Sequence, residues 1–274
     1  MDTLNWDQLH ILGPDQPLRP PGQPLTELPL VILVGLTGVG KSTTLVQLAN
    51  MRVNFSLLPN RRAMTDEIII AAIQREAGEL ARPVTDRLAR FDYTARYRAK
   101  YPGGLAYALS QLAVDPTDIA SPLIFDGLRG LEEVQQASIY FPRGRFILLD
   151  APDTVRLSRL LQRGEAFDAV EIALTSNNNN LIAALQNIPG IDPTFKPEQL
   201  GQIAHLTHAT QLDPAEVIKK VSIIVEERRN YDSQAARAYL LDSLPSNRVL
   251  VVDTEAHRPE VVAEQIAAWL KRSF

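Results

Sequence analysis

The segment Gly35-Leu36-Thr37-Gly38-Val39-Gly40-Lys41-Ser42 gathers three glycines, a lysine and two hydroxyls into eight residues. This is the spacing G-x-x-x-x-G-K-[ST], and it stands between an apolar, β-prone run (Val31, Ile32, Leu33, Val34) and a helical stretch. The glycines let the backbone bend so that successive N–H groups converge on phosphate oxygens. The helix that follows adds the partial positive charge of its N-terminus. Lys41 supplies a cation for the β- and γ-phosphates, and the Ser42 hydroxyl is a ligand for Mg²⁺. The pattern predicts a nucleoside-triphosphate site built from Gly35, Thr37, Gly38, Val39, Gly40, Lys41, Ser42 and Thr43, with ATP and Mg²⁺ as its cofactors.

A second carboxylate is needed to organise the metal. Asp126 ends the apolar run Pro122 to Asp126 and suits that task beside Ser42. Nucleotide hydrolases that perform work usually place a second carboxylate next to this Asp to orient water. Here Gly127 follows Asp126, and Ala151 follows the other candidate, Asp150. The pattern therefore points away from a hydrolytic motor and toward transfer to a bound acceptor. Arg159 and Arg163 are four residues apart and share one face of a helix that opens after a strand. Guanidinium forks suit phosphate oxygens, and phosphoryl transfer needs such cations. Arg228 and Arg229 are further candidates, and a solvated basic face is the competing reading for all four. The four histidines form no metal-binding spacing.

The elements that position these residues are legible from periodicity. Strands are expected at 30–34, 53–58, 122–126, 145–150 and 248–253. Helices are expected at 42–51, from Thr65, at 85–100, 105–112, 131–140, 154–163 and 259–271. Alternating strands and helices predict an α/β fold of the P-loop NTPase class, with a mostly parallel five-stranded sheet flanked by helices. Residues 1–29 read as a proline-rich N-terminal arm, with Leu4, Trp6, Leu9, Ile11 and Leu12 as its anchors. Residues 30–164 read as the core. Residues 165–221 lack a strand pattern and are too long for a plain loop, so they read as a helical, lid-like insertion. Residues 222–274 return to the core.

Composition bounds the rest. With 274 residues and 45% hydrophobic content, the chain has ample material for a packed core. Zero cysteines exclude disulfides, thiolate metal sites and a cysteine nucleophile. No apolar run is long enough to span a bilayer, and the N-terminus lacks a secretory pattern, so a cytoplasmic protein is expected. A net charge of −4 disfavours bulk adsorption to nucleic acid. The arginine- and aromatic-rich stretch from Arg87 to Tyr101 keeps a polynucleotide partner in view, although a helix with aromatics inside and arginines outside is favoured there.

The phosphate loop, together with Asp126-Gly127-Leu128-Arg129-Gly130-Leu131-Glu132-Glu133-Val134 and the segment 145–165, resembles nucleoside-monophosphate kinases and related dephospho-CoA-kinase-like P-loop kinases. The likeness spans residues 30–165 and, more weakly, the last strand and helix. It implies that Lys41 and Ser42 hold phosphates and Mg²⁺, and that Asp126 holds the metal through water. It further implies that Arg129 faces the acceptor phosphate, that Arg159 lies against adenine, and that Arg163 reaches the moving phosphoryl. The loop 254–259 would border the base. The expected activity is ATP-dependent phosphoryl transfer to an unidentified acceptor. A nucleotide-driven switch acting on a protein partner and an RNA- or DNA-end kinase are the alternatives.

Overall fold

The computed structural model describes residues 2–12, 21–162 and 178–273. Its strands are β1 (Asp2–Thr3), β2 (Leu9–Ile11), β3 (Gln23–Pro24), β4 (Leu30–Val34), β5 (Ser56–Leu57), β6 (Leu112–Val114), β7 (Leu123–Leu128), β8 (Arg145–Asp150) and β9 (Val249–Asp253). An all-parallel sheet has the order β1-β5-β7-β4-β8-β9. The five expected strands are all present in it. The N-terminal arm contributes a sixth at the edge, where Asp2 pairs with Ser56 and Thr3 with Leu57.

Strand β4 is central, and all five of its residues are buried. Its unbroken apolar run fits a strand covered on both faces. Leu30, Ile32 and Val34 face one core with Phe125, Phe146 and Leu148. Val31 and Leu33 face the other, with Leu45, Leu48, Ile147, Ile266 and Trp269. The helices Lys41–Asn50 and Pro259–Ser273 cover that second face. A third apolar cluster joins Leu157 and Leu160 to Leu185, Phe195, Val221 and Ile224. It belongs to the helices Asn178–Gln186, Pro197–Ala209 and Pro214–Asn230 of the expected insertion.

Several expectations are corrected. The boundary at residue 221 falls inside the helix Pro214–Asn230, because Val217, Ile218, Val221, Ile224 and Val225 continue one buried stripe across it. The helix expected from Thr65 starts at Arg61, where Asn60 caps it by accepting from Ala63 N at 3.0 Å. The strand expected at 53–58 shortens to Ser56–Leu57. The helix expected to reach Leu112 stops at Ser110, and the chain continues as β6. There the arm takes up its backbone, since β2 and β3 flank β6 in a separate antiparallel sheet. Pro24 lies in β3, an edge strand, where a missing N–H does no harm. Of the expected anchors, Leu4 and Leu9 are buried and Trp6 packs against the core, whereas Ile11 is exposed.

One irregularity matters for the site. The register of β4 against β7 slips after Leu33↔Asp126, and Val34 then pairs with Leu128. The extra residue, Gly127, is a bulge that bends β7 where Asp126 meets the phosphate loop. A Cβ at Gly127 would stand 2.4 Å from the Phe125 ring. Among the described residues, no helix is long and apolar enough to cross a membrane.

The described residues of the arm thus join the core. Leu4→Ala should lower the unfolding free energy by about 2–5 kcal/mol, the range for truncating a buried leucine. Urea unfolding measures this, and a loss below about 0.5 kcal/mol, typical of surface changes, would show an arm that is not packed.

Candidate nucleotide-binding site

The phosphate loop connects β4 to the helix Lys41–Asn50. Gly38 and Gly40 adopt φ values of 86° and 99°, the left-handed region in which side chains are strained. A Cβ on Gly38 would also meet the backbone of Arg156 at 3.0 Å. The carbonyls of the loop are tied down in succession. Lys41 Nζ donates to Gly35 O at 2.7 Å and to Leu36 O at 3.2 Å. Arg156 Nε donates to Thr37 O at 2.7 Å, and Arg159 Nη1 to Gly38 O at 3.2 Å. The Thr254 hydroxyl lies 2.8 Å from Val39 O and accepts from Arg159 Nη1 at 2.9 Å. A loop that binds an anion must turn its carbonyls away from the ligand, and here side-chain donors hold them.

Asp126 and Lys41 meet beside the loop, with Nζ 3.7 Å from Oδ1. Burial pulls the Lys41 pKa below the usual lysine value, and the charge of Asp126 opposes that pull. Asp126 Oδ1 is buried and has no hydrogen-bond partner among the described residues. An orphaned carboxylate oxygen next to the Lys41–Ser42 turn, with the Ser42 side chain exposed, fits a hydrated Mg²⁺. Asp150, the other acidic candidate, accepts instead from Ala151 N at 3.0 Å.

The far end of the loop carries an arrangement that the sequence does not announce. Glu227, from the helix Pro214–Asn230, accepts from Thr37 N at 3.0 Å and from Thr37 Oγ1 at 2.5 Å. Arg129 Nη1 donates to its Oε1 at 2.5 Å, and Arg156 Nη2 donates to its Oε2. Burial pushes the Glu227 carboxyl up, but Arg129, Arg156, Thr37 and Lys41 outweigh it and hold the group below the usual glutamate range. Arg156 is fully buried and also bonds Asp153 Oδ1 at 2.6 Å. Asp153 in turn accepts from Arg228 Nε at 2.9 Å.

Of the residues expected at the site, Lys41, Asp126, Arg129 and Arg159 are thus in or beside the loop. Arg163 lies outside the described residues. Arg228 reaches Asp153, and Arg229 is exposed beside Glu226, so neither faces the loop. Arg159 lines a cavity of about 380 Å³ with Gly40, Thr43, Gln162, Thr254 and His257. Arg156 and Glu227 were missed. Arg156 stands three residues before Arg159 on the same helix, a spacing that could have drawn notice. Glu227 lies 190 residues from Thr37, and nothing local marks it.

On the other side of Arg129, Arg61 donates to both carboxylate oxygens of Glu133, at 3.0 and 2.7 Å, to Gly127 O at 2.8 Å and to Tyr231 Oη at 2.9 Å. Burial, the largest single influence, would lower the Arg61 pKa, but Glu133, Tyr231 and Glu227 together outweigh it and raise it. The Arg87–Lys100 helix carries both aromatic and basic residues. Tyr97 is buried, while Arg96 and Arg98 pair with Asp92 and Glu132 near the surface. Among the described residues, no group of three or more His, Cys, Asp or Glu side chains forms a metal site.

The family model described as "AAA domain" matches residues 31–180. No curated protein matches the chain. Solved structures similar to it include an unliganded sugar kinase from Janibacter sp., at 15% identity over 89% of this chain and 95% of that one, with a TM-score of 0.40. Shikimate kinase from Acinetobacter baumannii in complex with shikimate is similar at 15% identity, over 90% and 95% of the two chains, with a TM-score of 0.35. A sulfotransferase from Alicyclobacillus acidocaldarius follows at 11% identity, over 88% and 80%, also at 0.35.

The Glu227 cluster predicts a pH-dependent stability difference. At neutral pH, Glu227→Gln should cost about 3 kcal/mol, the scale of breaking a buried ion pair. A carboxylate with a lowered native pKa stabilises above its unfolded value of about 4.3 and loses that contribution as pH falls through the native value. The gap between wild type and variant should therefore close on acidification below about pH 4.3. Urea unfolding across pH tests this, and equal stabilities at pH 7 would leave the carboxylate without an electrostatic role.

Proposed function

The chain belongs to the AAA domain family, and we propose that it is an ATP-binding phosphotransferase that moves the γ-phosphoryl of ATP to a small molecule or nucleotide. The observation that carries this reading is the convergence of Lys41, Asp126, Arg129 and Arg156 on one end of the phosphate loop, with the cavity beside Arg159 at the other. Phosphoryl transfer depends on positioning and on cations arranged around the moving group.

In this reading the purine occupies the cavity of about 380 Å³, with Arg159 and the loop after β9 as its walls. Lys41 leaves the carbonyls of Gly35 and Leu36 for phosphate oxygens. When bound, Mg²⁺ held by Ser42 and, through water, by Asp126 would neutralise charge developing on the β- and γ-phosphates. Arg129 faces the acceptor side, and Arg163 keeps the role that the kinase resemblance implies.

Transfer is favoured over hydrolysis because Gly127 follows Asp126 and Ala151 follows Asp150, so neither candidate metal carboxylate has a second carboxylate beside it to orient water. The switch reading draws support from the direct bond between the loop and the helix Pro214–Asn230. ADP release that depends on an added acceptor separates the two readings.

Lys41→Ala should abolish tight MgATP binding by titration calorimetry while leaving the circular dichroism spectrum unchanged. Retained affinity would overturn the phosphate-loop assignment. Asp126→Asn should keep nucleotide binding but lower Mg²⁺-dependent turnover on the order of a hundredfold, the scale of losing one electrostatic stabiliser of the transition state. Unaltered turnover would make Asp126 structural.

A further inference from the structure

Glu227 bonds a backbone N–H of the phosphate loop, and a carboxylate in that position competes with the ligand the loop is built for. Its place along the nucleotide follows from the site's layout. The base cavity lies beside Gly40, Thr43 and Thr254. Lys41 and Ser42 come next, at the start of the helix that faces the inner phosphates. Thr37 lies at the opposite end of the loop from that cavity. Its N–H and hydroxyl, with Arg129 and Arg156, form a four-donor anion seat. Guanidiniums, a backbone N–H and a hydroxyl serve a terminal phosphate as well as they serve a carboxylate.

We propose that Glu227 is a resident anion in the terminal-phosphate subsite, admitting a nucleoside diphosphate as it stands and a nucleoside triphosphate only after it withdraws. The proposal rests on the ATP-site reading above and deepens it. Two anions cannot share these donors, so the γ-phosphate must displace the carboxylate. The arginines need not follow Glu227 out. Arg156 keeps Asp153 and the Thr37 carbonyl, and Arg228 braces Asp153 from the other side. Glu227 is fixed to the helix Pro214–Asn230, whose buried stripe belongs to the third apolar cluster. Its withdrawal moves that helix, so the helix senses whether the bound nucleotide carries a third phosphate.

The experiment measures MgADP and MgATP affinity by calorimetry for wild type, Glu227→Gln and Glu227→Asp. Glutamine removes the charge. Aspartate keeps the charge for Arg129 and Arg156 but retracts the carboxylate by one methylene, so it stands in if the glutamine variant fails to fold. Both variants should raise the ATP-to-ADP affinity ratio by about tenfold or more. In the wild type, hydrogen exchange in the peptide covering residues 214–230 should be faster with a non-hydrolysable ATP analogue than with ADP. An unchanged or lowered affinity ratio, or equal exchange with the two nucleotides, would overturn the resident anion while ADP binding leaves the nucleotide site standing. If neither nucleotide binds wild type or variants, the nucleotide-site reading falls and this proposal with it.

Discussion

The site depends on how the loop's carbonyls are disposed of. A chain segment that offers N–H groups to an anion must turn its own carbonyl dipoles elsewhere, and those dipoles need partners if they are to be buried. Lys41 serves Gly35 and Leu36, Arg156 serves Thr37, Arg159 serves Gly38, and Thr254 serves Val39. Lys41 belongs to the phosphate loop itself, and the other partners come from later in the chain. Arg156 and Arg159 come from the helix after β8, and Thr254 from the end of β9. The parallel order of β4, β8 and β9 brings those ends to the same sheet edge. The strand order is therefore a precondition for the loop's shape.

A second node ties the insertion to the core. Arg61 is surrounded by the two carboxylate oxygens of Glu133, the bulge carbonyl of Gly127 and the hydroxyl of Tyr231. A buried guanidinium is tolerable only when its donors are met in this way. The node joins the helix after β5, the bend in β7 and the end of the helix that carries Glu227. Its own position is fixed by Tyr231, whose ring also lies 5.7 Å from the Arg129 guanidinium. Arg129 thus stands between a rigid cluster and the anion seat.

What the sequence makes legible follows from separation along the chain. The phosphate loop is a contiguous eight-residue pattern, so its type, strand and helix could be read directly. The five apolar strands carry their own signal, and Asp126 was found because it ends the apolar run of one of them, although that strand continues past it to Leu128. Strand β6 escaped, because its three residues continue a helical pattern and become a strand only when the arm pairs on both sides. Glu227 escaped for a stronger reason. Its partners Thr37, Arg129 and Arg156 lie 190, 98 and 71 residues away. Arg159 and Arg163 drew attention because cations near phosphate are expected, whereas an anion there is not.

The clasp on the loop's carbonyls has a consequence for biosynthesis. Residues 35–42 precede Thr254, which clasps the Val39 carbonyl, by roughly two hundred residues. At roughly 5–20 residues per second, that delay is on the order of ten to forty seconds. Until then the nascent loop lacks the last of the groups that hold its carbonyls. A ribosome-bound chain stalled before Thr254 should hold its N-terminal half without a competent nucleotide site, so ligand cannot assist the early stages of folding. Nucleotide would stabilise only chains in which β9 is already in place.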